Sequence, residues 1–368
     1  MQLHLTPVPN NCSAKCLAAG PRTRQTRERP PRPAGRNTRT ASAPSRTLLQ
    51  HVLSFLPSRL AVGTCVLARR WRHQWKSVPV LRLPWFDIER AQPPHSFVNH
   101  LLLLRDRVPL RECEIDTYEG TVDISPLILY ALLFRVQVLR IDLNIPTNYM
   151  QRMNENLIAE KLVRLELGRV DLEGHHFLDF SSCPKLEVVN MNYCTYKSDI
   201  LSQSLRHLSM IGCTSLRDSC PRIFTPRLIS LELASNDGLT PVLDFMPSLV
   251  TAFVRLGVEW NCGSDDCGET TYIFRKDMKK GPSFGKLKTL MLNEWCFAAK
   301  FGALLYFLQH SPVLEKLSLE LHTEPFLASK HLKVVEVKYH EDELLALTQV
   351  LKILITCDNC LSGYLLFD

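Results

Sequence analysis

From about residue 136 onward the chain returns to one phrase: an apolar residue, two others, an apolar residue, one other, and an apolar residue. Val136, Leu139, Ile141 open the series, followed by Leu162, Leu165, Leu167; Leu186, Val189, Met191; Leu205, Leu208, Met210; and Leu228, Leu231, Leu233. Leu249, Ala252, Val254 is a weaker copy, and Leu287, Leu290, Leu292; Leu314, Leu317, Leu319; and Leu332, Val335, Val337 complete it. The last two apolar residues of each copy are two apart, so they point to the same side of a short strand. Upstream, Thr47 to Leu83 has helical spacing instead. Thr47 is placed to cap a helix carrying Leu48, Leu49, Val52, Leu53, Phe55 and Leu56 and ending at Pro57, and Ser58 to cap a second one. That second stretch holds Leu60, Ala61, Val62, Val66 and Leu67, then Trp71 and Trp75 among basic residues, with core packing the expected role of both tryptophans. So much apolar surface exceeds what about 40 residues bury alone, which implies a partner surface.

First apolar residues of successive copies are separated by 26, 24, 19, 23, 21, 38, 27 and 18 residues. This is the range of leucine-rich repeats, in which each unit supplies one strand to a continuous parallel sheet because a lone strand cannot bury its face. The expected fold class is therefore α/β: a helical N-terminal domain followed by a curved leucine-rich-repeat solenoid, with helical or irregular returns on the convex side. The 38-residue gap holds Trp260 to Pro282, whose Gly, Asp and Lys content reads as an inserted loop. Expected boundaries are a disordered basic tail over 1–46, a helical domain over 47–84, repeats over 96–282, terminal repeats over 283–356 and a C-terminal tail over 357–368. Outward side chains between the structural leucines, such as Arg164, Glu166, Glu187, Arg206, Glu232 and Lys288, are where target specificity would sit.

Composition changes this picture in one place. Of the net charge of +7 over 368 residues, the first 46 carry +8, from Lys15 and eight arginines (Arg22, Arg24, Arg27, Arg29, Arg32, Arg36, Arg39 and Arg46) against Glu28. The remainder sums to −1, so a basic pI does not make the body a nucleic-acid binder, and the Pro- and Arg-rich tail lacks the aromatic interleaving of single-strand binders. Pro21, Pro30, Pro31 and Pro33 oppose the amphipathic helix of a transit peptide, and no apolar run near the start forms a secretory signal. The longest mainly apolar stretch, Ile124 to Phe134, falls short of the ~20 residues that span a bilayer. Thirteen cysteines, an odd number, fit reduced thiols of the cytosol or nucleus. Cys262 with Cys267 and Cys357 with Cys360 lack the second half of a zinc site, whereas Cys183, Cys194 and Cys213 recur at the ends of similar segments, where a small buried side chain suits a turn.

No catalytic constellation stands out. Gly281-Pro-Ser-Phe-Gly-Lys286 is one residue short of a phosphate loop and lacks its hydroxyl. His340-Glu-Asp-Glu-Leu344 lacks the second histidine of a metalloprotease helix, and His175-His176 has no carboxylate or nucleophile at defined spacing. No metal or cofactor is expected.

The run Leu48-Leu-Gln-His-Val-Leu-Ser-Phe-Leu-Pro57, with Ala61-Val62, Thr64-Cys-Val-Leu-Ala-Arg-Arg-Trp-Arg-His73 and Trp75-Lys-Ser-Val-Pro79, resembles the F-box of plant F-box proteins. Cys183-Pro-Lys-Leu-Glu187 resembles that family's repeat opener. Phe307-Leu-Gln-His-Ser-Pro-Val-Leu-Glu-Lys-Leu317 with Leu332-Lys-Val-Val-Glu-Val-Lys338 resembles its FBD segment. The resemblance covers roughly residues 47 to 355 and implies a non-catalytic substrate receptor of an SCF-type ubiquitin ligase. In that role Leu48, Leu49, Val52, Leu53, Leu56, Pro57, Val62 and Val66 would meet a Skp-type adaptor, and through it a cullin, while the repeats hold a target protein. The family's opening Leu-Pro-Asp-Asp is replaced by Pro44-Ser-Arg-Thr47, and Gly63 stands where a basic residue is usual. A non-ligase repeat scaffold with a degenerate F-box is the alternative reading.

Overall fold

A computed structural model describes residues 46–89, 96–117, 124–143, 157–172, 178–216, 221–238, 241–256, 284–293, 304, 306–320, 335–336 and 365–366. The basic tail over 1–45, the expected loop over 260–282, the pairs Cys262/Cys267 and Cys357/Cys360, His175-His176 and His340–Leu344 lie outside the described residues, as do Leu332, Val337 and most of 321–368. Two compact units divide between Leu110 and Arg111. The segment 96–110, assigned to the repeats by its sequence, lies with the helical unit.

In the first unit, helix α1 (Arg46–Leu53) is followed by turns and Pro57, then α2 (Ser58–Gly63), single 3₁₀ turns at Thr64–Val66 and Gln74–Ser77, strand β1 (Val80–Leu83), α3 (Trp85–Glu89) and α4 (Ser96–Leu104). The expectation of helix throughout 47–83 fails at β1, where Val80, Leu81 and Leu83 are all buried. Thr47 lies inside the first turn of α1 rather than capping it. Ser58 is not a cap either. Pro57 precedes α2 with extended backbone, and the Ser58 hydroxyl accepts the Arg82 N–H at 3.1 Å, tying α2 to β1. The first turn of α2 is satisfied from a distance, since Asp87 Oδ2 accepts the Arg59 N–H at 3.2 Å. Leu49 and Leu53, four residues apart, form the inner stripe of α1 and share the buried core with Ala61, Trp75, Val78, Val98 and Leu101. Burying each such leucine contributes about 1.5–3 kcal/mol.

The second unit is a solenoid of parallel strands. Its main ladder runs β2 (Glu112–Asp116), β3 (Val138–Asp142), β4 (Arg164–Gly168), β6 (Val188–Asn192), β9 (His207–Ile211), β12 (Ser230–Gly238), β14 (Thr251–Leu256), β15 (Thr289–Asn293) and β16 (Lys316–Glu320), every neighbour pair parallel. Register aligns the repeat residues. Leu139, Leu165, Val189, Leu208, Leu231, Ala252, Leu290 and Leu317 form one buried row, and Ile141, Leu167, Met191, Met210, Leu233, Val254 and Leu292 another. The weak copy at Leu249 takes its place in the ladder, and β15 follows it in register across the 38-residue spacing.

Before each strand one carbonyl accepts two N–H groups of the next turn, at Gln137, Val163, Glu187, Arg206, Ile229, Val250 and Lys288. Strand β2 is a copy the spacing did not reveal. Leu110, Cys113 and Ile115 fill its slots, with a buried thiol where a leucine was sought.

The returns differ from expectation. Among the described residues, α5 (Ser125–Leu133), with Pro126 in its first turn, and residues 306–310 are helical returns. From β4 to β14 the described returns are short strands, with a 3₁₀ turn at Phe180–Ser182 between β5 and β6. One set, β5 (Asp171–Leu172), β7 (Thr195–Tyr196), β10 (Thr214–Ser215) and the end of β12, forms a second parallel ladder. Another, β8 (Ile200–Leu201), β11 (Arg222–Phe224) and β13 (Val242–Asp244), forms a third. In these turns of 19 to 24 residues extended chain with ladder hydrogen bonds satisfies the backbone of the described returns. A further parallel pair joins β17 (Val335–Glu336) to β18 (Leu365–Leu366).

Candidate functional site

Two surfaces qualify, one on each unit. On the helical unit, the sequence-predicted contact residues separate into two groups. Leu49 and Leu53, at 5% and 1% exposure, are core residues of the folded unit. The helix has room for one inner stripe, and these two occupy it. Leu48 and Val52 are about half exposed, Val66 is 62% exposed, and Leu56, Pro57 and Val62 are half-buried. Phe55, Leu60 and Leu67, which were not among the predicted contacts, are exposed as well, Phe55 and Leu67 more than Val66. Leu48 and Val52, with Phe55 just beyond the helix, follow spacing i, i+4, i+7, a signal present in the sequence and rotated by roughly 100° from the Leu49–Leu53 stripe. The His51 ring meets the Phe55 ring edge-on at 5.0 Å.

What sits beneath this apolar set is polar and fixed. Asp87 is fully buried, and burial pushes its carboxyl above the usual range against the opposing hydrogen bond from the Arg59 N–H. Arg82 donates from Nε to the Ser54 carbonyl at 3.1 Å, holding the turn between α1 and α2. The buried Arg105 donates to the Val78 carbonyl. Trp75 packs in the core as expected, whereas Trp71 is half-buried. Gly63 closes α2 facing open space, since an added methyl would meet nothing within 4 Å.

On the solenoid, the outward residues of the ladder form rows. Glu114, Arg140, Glu166, Asn190, Ser209, Glu232, Phe253, Met291 and Ser318 are aligned by register across nine strands. The row begins charged, passes through the neutral Asn190 and Ser209 to Glu232, then through the apolar Phe253 and Met291, and ends at the buried Ser318. Arg140 lies between carboxylates, bonded to Glu112 and, at 2.8 Å, to Glu166. Arg164 reaches Glu166 at 3.3 Å, and the Ser209 hydroxyl donates to Glu232 at 2.7 Å. The Arg255 guanidinium lies 4.7 Å from the Phe253 ring centre. Of the specificity residues read from sequence, Arg164, Glu166 and Glu232 belong to this face, while Glu187, Arg206 and Lys288 are exposed one residue before their strands.

The cysteines at repeat ends behave as structural groups. Cys194 and Cys213 occupy equivalent positions two residues beyond β6 and β9. Their thiols point inward to the Leu167 and Met191 carbonyls of the preceding turns. The next position in that column is Asn236, whose side chain accepts the Cys213 N–H at 2.8 Å. A hydrogen bond between the two thiols, and then burial, holds the Cys194 thiol well above its ordinary value. Burial pushes the Cys183 thiol up to about 11. The raised Cys183 and Cys194 thiols resist ionisation and therefore nucleophilic chemistry, whereas the hydrogen bond with Cys194 draws the Cys213 thiol below its ordinary value.

Among the described residues no group of three or more His, Cys, Asp or Glu side chains is arranged to hold a metal. A depression of about 240 Å³ lined by Phe180, Ser181, Pro184, Gln203, Ser204 and Arg227 contains no carboxylate, imidazole or thiol, and the Ser204 hydroxyl is bonded to the Cys183 and Leu186 carbonyls. Among the described residues no helix is long and apolar enough to cross a membrane.

No family model matches the chain, and no solved structure does. Curated proteins do. An F-box/FBD/LRR-repeat protein of Arabidopsis thaliana is 29% identical over 218 residues, 57% of this chain and 48% of that protein. An FBD-associated F-box protein of the same plant is 41% identical over 80 residues, 22% of this chain and 18% of that protein. The meiotic F-box protein MOF of Oryza sativa subsp. japonica is 24% identical over 354 residues, 80% of this chain and 73% of that protein. The chain spans about half the length of the first of these relatives. The parallel repeat ladder and the likeness to these proteins together make the chain similar, over much of its length, to the plant F-box/FBD/LRR-repeat proteins.

Proposed function

We propose that this chain is the substrate-recognition subunit of an SCF-type ubiquitin ligase. Its helical unit docks on a Skp-type adaptor that leads to a cullin, and its solenoid holds a target protein. The chain then performs no bond chemistry, and its contribution is proximity, raising the effective concentration of target lysines near a charged ubiquitin-conjugating enzyme. The observation that carries this reading is the concentration of six exposed large apolar side chains between Leu48 and Leu67, on a unit whose core is already filled by Leu49, Leu53, Ala61 and Trp75. Soluble domains do not keep a patch of that kind without a partner. Of the sequence candidates, the exposed Leu48, Val52 and Val66 are the contact groups, with Phe55, Leu60 and Leu67 added. Leu49 and Leu53 hold the helix that presents them.

The test is binding of the full chain to a purified Skp-type adaptor, beside a Val52→Asp, Val66→Asp double variant. Both positions are exposed, so the variant folds, and saturable binding by the parent with loss of at least tenfold in the variant supports the reading. The second reading, a repeat scaffold that recruits no ligase, rests on Pro44-Ser-Arg-Thr47 in place of the family's opening motif. Absence of binding at micromolar adaptor decides for it.

A further inference from the structure

The C-terminal ends of β3, β4, β6 and β9 carry a continuous line of side chains that the fold itself does not require. Strands β4, β6 and β9 are each followed by one residue in the left-handed region, Arg169 (φ 55°), Tyr193 (φ 54°) and Gly212 (φ 63°), and within β12 Ser235 (φ 51°) takes the same conformation at the register shift between Ala234 and Asn236. These residues turn the chain from the main ladder toward the second, and the first three pass their N–H to the carbonyl of the following turn at 2.8 Å. Glycine is the residue that adopts this conformation without strain. Only one of the four positions has it, and there the reason is a neighbour. A methyl group on Gly212 would fall 2.6 Å from the Tyr193 ring, so the ring lies directly on the bare backbone of the next turn. Two strands earlier a similar close approach recurs, because a methyl on Gly168 would fall 2.7 Å from Asp142 Oδ1. Asp142 therefore leans over β4, where it takes Arg169 at 2.8 Å, and the Arg169 guanidinium sits 5.8 Å from the Tyr193 ring centre.

Two backbone gaps thus hold a carboxylate and a phenol ring in line. Tyr193 is nevertheless 56% exposed and the Asp142 side chain 58%, so they support little core. A tyrosine pinned flat beside an arginine is a side chain whose ordering cost is already met in the free protein, which is what a binding anchor needs. The charge around it selects the partner. On the outward face from β2 to β12 and its corner residues stand six carboxylates, Glu112, Glu114, Asp116, Asp142, Glu166 and Glu232, against three guanidiniums, Arg140, Arg164 and Arg169. An excess of three negative charges over the face that carries this exposed ring favours a cation, which the ring's negative face and the carboxylates along the face attract together.

We propose that this face binds a basic segment of the target protein, an extended stretch carrying arginine or lysine, with the Tyr193 ring as its anchor. This rests on the reading of the solenoid as a target-binding array and supplies the chemistry of that target. The probe is a fluorescein-labelled dodecapeptide of glycine and serine with four arginines, beside its counterpart with four glutamates, titrated against the full chain and followed by anisotropy at two salt concentrations. The arginine peptide is expected to bind and to weaken as salt rises, and the glutamate peptide not to bind. Tyr193→Ala should weaken binding at least tenfold, and Tyr193→Phe, which keeps the ring, should restore it to within about threefold. Glu315→Gln, an exposed carboxylate paired with Lys288 outside this face, should change nothing.

Failure of the arginine peptide to bind overturns the proposal, as does equal weakening by Tyr193→Ala and Glu315→Gln. Salt- and Tyr193-dependent self-association of the chain without peptide binding places the arginines of a second copy there and also overturns it. Adaptor binding measured on the same samples separates this outcome from failure of the ligase reading: Val52→Asp, Val66→Asp loses the adaptor and keeps the peptide.

Discussion

The helical unit and the solenoid solve the burial of apolar surface differently. In the solenoid the repeat residues stack on their equivalents in the next turn, and the buried rows continue from strand to strand with exposures near zero. Large apolar side chains that are exposed there, such as Leu129, Leu133, Leu216 and Phe245, lie on helices and turns, and among the described residues none is on a ladder strand. In the helical unit six of them fall within twenty residues. A repeat array extends its core with every copy, whereas two short helices have one inner stripe each and must leave the rest outside. On the proposed function, this unfilled apolar surface is the docking part, and the solenoid, satisfied internally, discriminates with polar and charged side chains.

Substitutions at paired positions test that division. The largest effects belong to the inner stripes: Leu53→Ala in the helical unit and Leu208→Ala in the solenoid should each cost about 2–5 kcal/mol in chemical denaturation, as buried leucines do. Val52→Asp, one residue from Leu53, should leave stability within about 1 kcal/mol while weakening adaptor binding. If Val52→Asp unfolds the unit as readily as Leu53→Ala, the exposed stripe is core after all.

Next comes Gly212→Ala, expected to cost about 1–2 kcal/mol, because it places a side chain in a left-handed conformation and against the Tyr193 ring. It should also displace Tyr193, so arginine-peptide binding falls with it. The same substitution at Gly63, where nothing lies within 4 Å and φ is −56°, should be neutral or slightly stabilising.

A smaller effect is tied to pH. Asp87 is buried and its carboxyl is raised above 3.8, so the folded chain holds that proton more tightly than the unfolded chain. Its contribution to stability is complete below 3.8 and declines as pH rises through the folded value. Asp87→Asn keeps an acceptor for the Arg59 N–H and has no charge to bury, so its stability should gain on the parent as pH rises above 3.8. Parallel denaturation midpoints for the two proteins across that range would remove the buried carboxylate as a pH-sensitive element. Smallest of all is Ser209→Ala on the outward ladder face, expected within about 0.5 kcal/mol because it removes one half-exposed hydrogen bond to Glu232.

The repeat phrase was legible because buried strand residues obey a period of two and every copy needs the same slots filled. Even Leu249, Ala252, Val254, with alanine in the middle slot, could be recognised and found its place in register. The copy at Leu110, Cys113, Ile115 was not, because a cysteine in the middle slot looks like any thiol until its neighbours bury it. Short strands in the returns escaped for a related reason: two or three residues carry no period, and only hydrogen bonds to the turns on either side make them strands. In the helical unit the apolar residues were all visible, but their division into inner and outer sets was not. Leu48 and Leu49 are adjacent and chemically identical, and the rotation of α1 on its unit buries one and exposes the other.

The sequence by itself thus determined that this protein has a helical segment richer in apolar residues than it can bury, followed by stacked strands, since both follow from local spacing. Tertiary structure alone decided which leucines face outward, that Asp87 closes the first turn of α2 from 28 residues away, and that Asp142, Arg169 and Tyr193 stand in one line. Those outcomes depend on contacts between residues far apart in the chain, where the geometry of the ladder, and not the order of residues, sets what is adjacent.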